Sequence, residues 1–427
     1  MKFLDWASDG VPAAIWLVIC ALAVSILSVH ACRKHPVLWR LIPLAVVSRL
    51  AIFCFIAFWL MPFYAAQNKA DNYGYHHDAL KIARLIRAGD WGQIPWHPGA
   101  GAVAVITAIL YAPFGGDIYG MLFFSAALGL SASLCFCRAL ALHAGVRQLE
   151  LYCQLVFLLP SAGMWMSTFG KDSWVALGLS WIAYGYAASI KSGKASAAWR
   201  LLAGGAIVVS IRPHIAFAAI LAVACAHVWG STGGVRVGGL KALRFAVLLL
   251  CVLGYVAAAA RGFIGLREVS VAEGDQYAQG LASRNRIGGS AQAVSGSVVD
   301  APRGIVRVLF EPLPWEAHNL NALLAALENV IVGWLLLGCI ARVGSAGAAL
   351  RHGYSLFCFL FTVELLLMFS ILPNVGLISR QRAQLLPFLF VFIAVMRRQA
   401  VIVHRRPLRR GATQIRPAPA AIGRWFA

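Results

Sequence analysis

The sequence predicts an all-α protein, a polytopic transmembrane bundle of about 11–12 membrane segments, because its apolar runs approach the roughly 20 residues that span a bilayer as helix. Two observations carry this. Of 427 residues, 60% are hydrophobic and only 12% charged, with mean hydropathy +0.75, whereas soluble domains carry about 25% charged residues. The apolar stretches are also continuous, while barrel strands alternate polar and apolar over roughly ten residues. Together these exclude a soluble enzyme, a disordered chain, an outer-membrane barrel and a nucleic-acid-binding domain.

The apolar segments fall near 11–30, 41–64, 99–114, 118–137, 149–162, 173–190, 199–211, 214–230, 243–262, 321–341, 354–372 and 383–396. The first follows Asp5 and Asp9 where a signal peptide would be basic, so it reads as a retained helix. Lys and Arg gather in cytoplasmic loops. That bias puts 31–40, 138–148, 191–200, 232–244, 342–352 and the tail inside, and 67–98, 161–171, 212–214, 263–320 and 373–382 outside. The assignment is one crossing out between 98 and 138. Segment 99–114 is short and follows Pro95 and Pro98, so it is expected to be re-entrant, leaving about eleven crossings and an outer N-terminus.

Residues 1–396 read as a single membrane domain with outer loops at 67–98 and 263–320, and 397–427 as a basic cytoplasmic tail. The net charge of +21 follows from such loops and tail facing anionic headgroups. The ten cysteines lie almost entirely in apolar runs and form no CxxC, so they read as packing residues, neither disulfides nor metal ligands. Within the first outer loop, DALKIARLIRAG (78–89) sets Leu80, Ile82, Ala83, Leu85 and Ile86 against Lys81, Arg84 and Arg87. This is an outer-face amphipathic helix, capped by Asp78 and closed by Gly89.

Polar groups at membrane depth are costly and mark sites. Asp71, Tyr75, His76 and His77 combine a carboxylate, which can accept a proton from a sugar hydroxyl, with aromatic and imidazole groups, a set suited to a sugar or a metal. After the break at Pro160, Gly170-Lys171-Asp172-Ser173 opens a helix whose free N–H groups, with Lys171, favour a phosphate. The alternative is a capped helix with Lys171 reaching headgroups. Arg212-Pro213-His214 interrupts an apolar stretch, and an arginine there needs an anion or a watery cavity. Arg380 and Arg382 lie outside against the charge bias, which points to a diphosphate. Glu311, Trp315, Glu316 and His318, in a proline-rigid stretch, are further sugar-binding candidates.

These clusters resemble the GT-C superfamily of polyprenyl-phosphate-dependent membrane glycosyltransferases, including the Wzy-like polysaccharide polymerases. The element 71–80, Trp96-His97-Pro98-Gly99 before an apolar run, and Pro160 followed by Asp172 at a helix start are similar to that superfamily's motifs. The resemblance implies a GT-C-like bundle with Asp71 at the catalytic acid position and Asp172 in reserve. Arg212, Arg380 and Arg382 match by character the arginines that hold the diphosphate there, and Lys171 and His214, read from their own surroundings, would join them. Many mannosyltransferase-like members carry a second acid beside the first, and Asn72 stands here, which favours a metal-free mechanism without cofactor.

The implied activity is transfer of a sugar or glycan from a polyprenyl-linked donor to a glycan or lipid-linked acceptor. It would take place at the outer face of a bacterial inner membrane, in cell-surface or exopolysaccharide biosynthesis. Two other readings compete: a secondary transporter, which would place its charges at mid-membrane, and a non-catalytic subunit of a polysaccharide assembly or export system, in which Asp71, Arg212 and Arg380 would share no cavity.

Overall fold

The computed structural model describes residues 10–66, 71–192, 197–230, 301–317, 320–370, 372 and 375–396. The expected segment at 243–262, most of the second outer loop, His318 and the basic tail lie outside these residues. Secondary structure among the described residues is helical. Among the described residues, five helices are long and apolar enough to cross a membrane: Leu38–Ala66, Ile118–Ala141, Ala322–Ile340, Gly353–Ser370 and Gly376–Met396. The chain is therefore a multi-pass helical membrane protein.

Helix α1 (Gly10–Lys34) leads to α2 (Leu38–Phe55), which continues through one π turn, Ile56–Leu60, into α3 (Met61–Ala66). Then come α4 (Asp71–Ala88), α5 (Ala100–Phe114), α6 (Ile118–Ala141), α7 (Val146–Leu158), α8 (Pro160–Ser167), α9 (Lys171–Ser192), α10 (Ala198–Ile211) and α11 (Pro213–Trp229). The remaining helices are α12 (Ala301–Phe310), α13 (Leu320–Ile340), the short α14 (Ala346–Leu350), α15 (Gly353–Ser370) and α16 (Val375–Met396). Helix α9 is the hub, packed against α6 and α10. Aromatic residues of α6, α15 and α16 interlock beside it, with the Phe361 and Phe388 ring centroids 4.6 Å apart.

The bundle has two chemically different ends. At one, Arg138 of α6 donates to Tyr184 Oη of α9 at 3.2 Å, and Arg200 of α10 lies over the same ring. Arg147, Lys191, Arg342 and Arg351 stand at helix ends on this side. The other end gathers the start of α4, the start of α9, the α10–α11 junction and the start of α16.

Helix α5 both starts and finishes at this second end. Gly99 N–H donates to Ser210 O at the end of α10, and α6, starting at Ile118, already sets Phe124 beside Trp174 near the start of α9. Helix α5 therefore leaves the chain at the end of the bundle where it began.

Helix α4 begins at Asp71, seven residues before the expected start, so Asp78 is interior to it and pairs with Lys81 at 3.8 Å in place of capping. The expected stripe is only partly the buried one. Tyr75, Ala79, Ile82 and Ala83 are buried, while Leu80, Leu85 and Ile86 are half-buried. Much of this face is turned onto α5, where Arg87 donates to the carbonyls of Tyr111 and Ala112 at 2.9 and 2.8 Å. Gly89, at φ +82°, ends the helix as expected. Each described cysteine is a free thiol.

Candidate functional site: a buried carboxylate between two arginines

Asp172 stands in the first turn of α9 and is only 3% exposed. An isolated carboxylate there would be strongly disfavoured. It is stabilised by groups from two other helices. Arg212 Nη2, at the α10–α11 junction, donates to Oδ1 at 2.6 Å, and Arg380 Nε, on α16, donates to Oδ2 at 2.5 Å. Gln384 Nε2 adds a bond to Oδ1 at 3.2 Å, and Arg212 Nη1 donates to Gln381 Oε1. Arg380, Gln381 and Gln384 present one side of α16, since 380 and 384 lie about 40° apart around a helix.

Arg380 reaches beyond this pair. Its Nη1 donates to Asp71 Oδ2 at 3.2 Å, and its guanidinium lies 5.6 Å from the Trp165 ring centroid. Asp71, at the start of α4, is 59% exposed and keeps one oxygen outside that contact. Tyr75, one turn further on, packs edge-on to Phe169. Burial, with the charges of Asp71 and Asp172, pushes its phenol up to about 12, so it stays protonated at neutral pH.

Two glycines let these elements close up. Gly170, at φ +150°, precedes Lys171, and a β-carbon there would meet the Tyr75 ring at 3.2 Å. Gly99, at φ +90°, passes the ammonium of Lys171, which would lie 3.6 Å from an added β-carbon. Lys171 is half-buried and has no hydrogen bond or ion pair among the described residues. It feels Arg212 and Arg380 as like charges and Asp71 and Asp172 as opposite ones. Three cations thus face two carboxylates, and the unpaired one is the lysine. His214, exposed at the start of α11, is within electrostatic reach of Arg212 and Lys171.

The remaining expected site residues lie elsewhere. Arg382 follows Arg380 by two residues, about 200° round the helix. Its Nη1 points at the carbonyls of Val308, Leu309 and Glu311, 3.4–3.5 Å away at the end of α12. Glu311 is engaged with Arg307 at 3.0 Å. Glu316 accepts from Leu313 N at 2.9 Å, while Trp315 is exposed to solvent or lipid. The His76 ring nitrogen is bonded to Tyr111 Oη at 2.9 Å, and exposed His77 lies beside it. Gln381, Gln384 and the ring of Trp165 were not singled out as site residues from the sequence. The helical spacing from Arg380 was the signal for the two glutamines.

No protein-family model, curated protein or solved structure matches the chain. Asp172 has both oxygens engaged by cations, which makes it a poor proton acceptor and a firm anchor for the two arginines. Asp71 is the accessible carboxylate. Lys171 and Arg380 are the cations within its electrostatic reach.

Proposed function

We propose that the chain is a membrane glycosyltransferase or polysaccharide polymerase of GT-C-like type. In this reading it moves a sugar or glycan from a polyprenyl (di)phosphate carrier to a glycan or lipid-linked acceptor, at the outer face of a bacterial inner membrane, in cell-surface or exopolysaccharide biosynthesis. The observation that carries it is the convergence of Lys171, Arg212 and Arg380 with Asp71 at one end of an apolar bundle. A lipid-linked phosphate donor requires cations at the bilayer boundary and an accessible carboxylate beside them. The positive-inside rule puts the opposite end, with Arg138, Arg147 and Lys191, in the cytoplasm. Helix α4 then lies at the outer interface, with Lys81 and Arg84 exposed.

The division of labour follows from burial. Asp71 accepts the proton of the acceptor hydroxyl as that oxygen attacks the anomeric carbon. The bond from that carbon to the phosphate oxygen breaks, and the departing (di)phosphate takes up the negative charge beside Lys171 and Arg380, the larger electrostatic contribution. Asp172 holds Arg212 and Arg380 in place and does not exchange protons.

The test is binding of undecaprenyl diphosphate to the detergent-purified chain, followed by native mass spectrometry. Lys171→Ala and Arg380→Ala are each expected to weaken it by about tenfold or more, the loss of a charge-assisted hydrogen bond. Wild-type affinity in both variants would remove the phosphate site.

One observation favours a transporter as second reading: helices α7 and α8 are broken by a 61° bend with charged residues beside the break. Solute flux into proteoliposomes, abolished by substitution at that break, would support it.

A further inference from the structure

The bend between α7 and α8 is a polar assembly in its own right. Pro160 has no N–H, so the Val156 carbonyl four residues earlier loses its helical partner. Arg49 of α2 supplies a replacement, its Nη2 donating to Val156 O at 3.4 Å and to Ser133 Oγ at 2.9 Å. Neighbouring Ser48 donates to Phe157 O at 3.3 Å, the carbonyl that Ser161 N–H would otherwise reach. That N–H turns to Glu328 of α13, donating to Oε2 at 2.7 Å, while Ser161 Oγ donates to Oε1.

The charges match the backbone. Arg49 faces the C-terminal end of α7, where free carbonyls are partially negative. Glu328 faces the N-terminal end of α8, where free N–H groups are partially positive. Both side chains are buried, at 3% and 2% exposure, and no ion pair joins them among the described residues. Arg49 lies about 17 Å along α2 from Leu38, and Glu328 about 18 Å along α13 from Ile340, so both stand well inside the bundle. The fit around Arg49 is close, because a β-carbon on Gly163 would collide with its Nη1.

Helix α8 runs directly from this break to the site. It carries Trp165, whose ring faces Arg380, and is followed by Gly170, Lys171 and Asp172. We propose that Arg49 and Glu328 are positioning residues: they fix the direction of α8 and thereby hold Trp165 against Arg380. Neither touches the site cluster. The consequence for ligand affinity rests on the phosphate-binding reading above, whereas the consequence for Trp165 does not.

The experiment labels the whole chain with 5-fluorotryptophan and assigns the Trp165 fluorine resonance by its loss in Trp165→Phe. Glu328→Leu is expected to shift or broaden that resonance and to weaken farnesyl diphosphate binding about two- to tenfold, the range of a disturbed cation–π contact. Glu328→Gln should restore both, because an amide can accept from Ser161 N–H and donate to its hydroxyl. If Glu328→Leu does not fold, Ser161→Ala and Gly163→Ala give the same readout, each disturbing one side of the break. An unmoved Trp165 resonance in folded Glu328→Leu, or in both fallback variants, overturns the proposal. A moved resonance in a protein that binds no farnesyl diphosphate even as wild type upholds the positioning role and removes the phosphate-binding reading instead.

Discussion

At the cluster end of the bundle, Asp172 sits between Arg212 and Arg380. Well inside it, Arg49 and Glu328 stand on either side of a broken helix and do not pair with one another. The residue types are the same and the uses differ. In the cluster, charge neutralises charge, and the carboxylate exists to hold two guanidiniums. At the break, each charge answers an exposed helix end through hydrogen bonds, and Glu328 is in addition the carboxylate whose charge the buried Arg382 feels. The first arrangement leaves one cation, Lys171, without a hydrogen bond or ion pair among the described residues. The second leaves a helix correctly aimed.

Removing charge while keeping shape separates the two most sharply. Asp71→Asn is expected to have the largest effect on turnover and one of the smallest on stability. Loss of a general base costs about 10²- to 10⁴-fold in rate, while a largely exposed pair with Arg380 is worth about 0–1 kcal/mol. Product formation from a polyprenyl-linked donor, alongside a thermal unfolding curve, checks both halves. Normal product from this variant would sink the base assignment.

Asp172→Asn should be the most destabilising conservative change, by about 3–5 kcal/mol, because it leaves two arginines without their buried counter-charge. Glu328→Gln, the corresponding change at the break, should cost less, about 1–2 kcal/mol, since its hydrogen bonds to Ser161 survive and only its longer-range attraction for Arg382 is lost. Denaturant unfolding of the two variants side by side measures the contrast. Equal losses would mean that the break too depends on net charge. Gly163→Ala falls between them at about 1–3 kcal/mol, the cost of overpacking against Arg49.

How far these regions could be read from sequence differs for a physical reason. The helical membrane class was legible because composition and run length both depend on the bilayer. Arg212 and Arg380 drew attention because each sits at a helix end, beside Pro213 or against the charge bias. Their meeting on Asp172 is a tertiary fact that no local pattern carries. Arg382 drew the same attention as Arg380 and faces away, because two residues along a helix reverse the side on which a group lies. Arg49 and Glu328 passed unnoticed inside long apolar segments, where averaging over a window dilutes one charge. The rule that a charge at membrane depth needs a reason applied to both of them. Pro160 gave the other half of the signal, since a proline in such a run frees backbone groups that some other helix must satisfy.

The smallest expected effect concerns pH and isolates the α4–α5 contact from both polar regions. His76 is bonded to Tyr111, and burial, with His77 beside it, lowers its imidazole to about 4 from an ordinary value near 6.5. The folded state therefore holds His76 neutral. Below about pH 6.5 the unfolded chain binds a proton that the folded chain refuses, so stability declines as pH falls. The decline stops near pH 4, where the folded form takes up the proton as well. Above neutrality the contribution is fully present. In His76→Gln, that part of the slope between pH 6.5 and 4 should vanish, while the stability at pH 8 changes little because glutamine can still bond to the Tyr111 hydroxyl. Unfolding midpoints at several pH values in the two proteins decide it. An unchanged slope would assign the acid sensitivity elsewhere and leave His76 as a packing residue on α4.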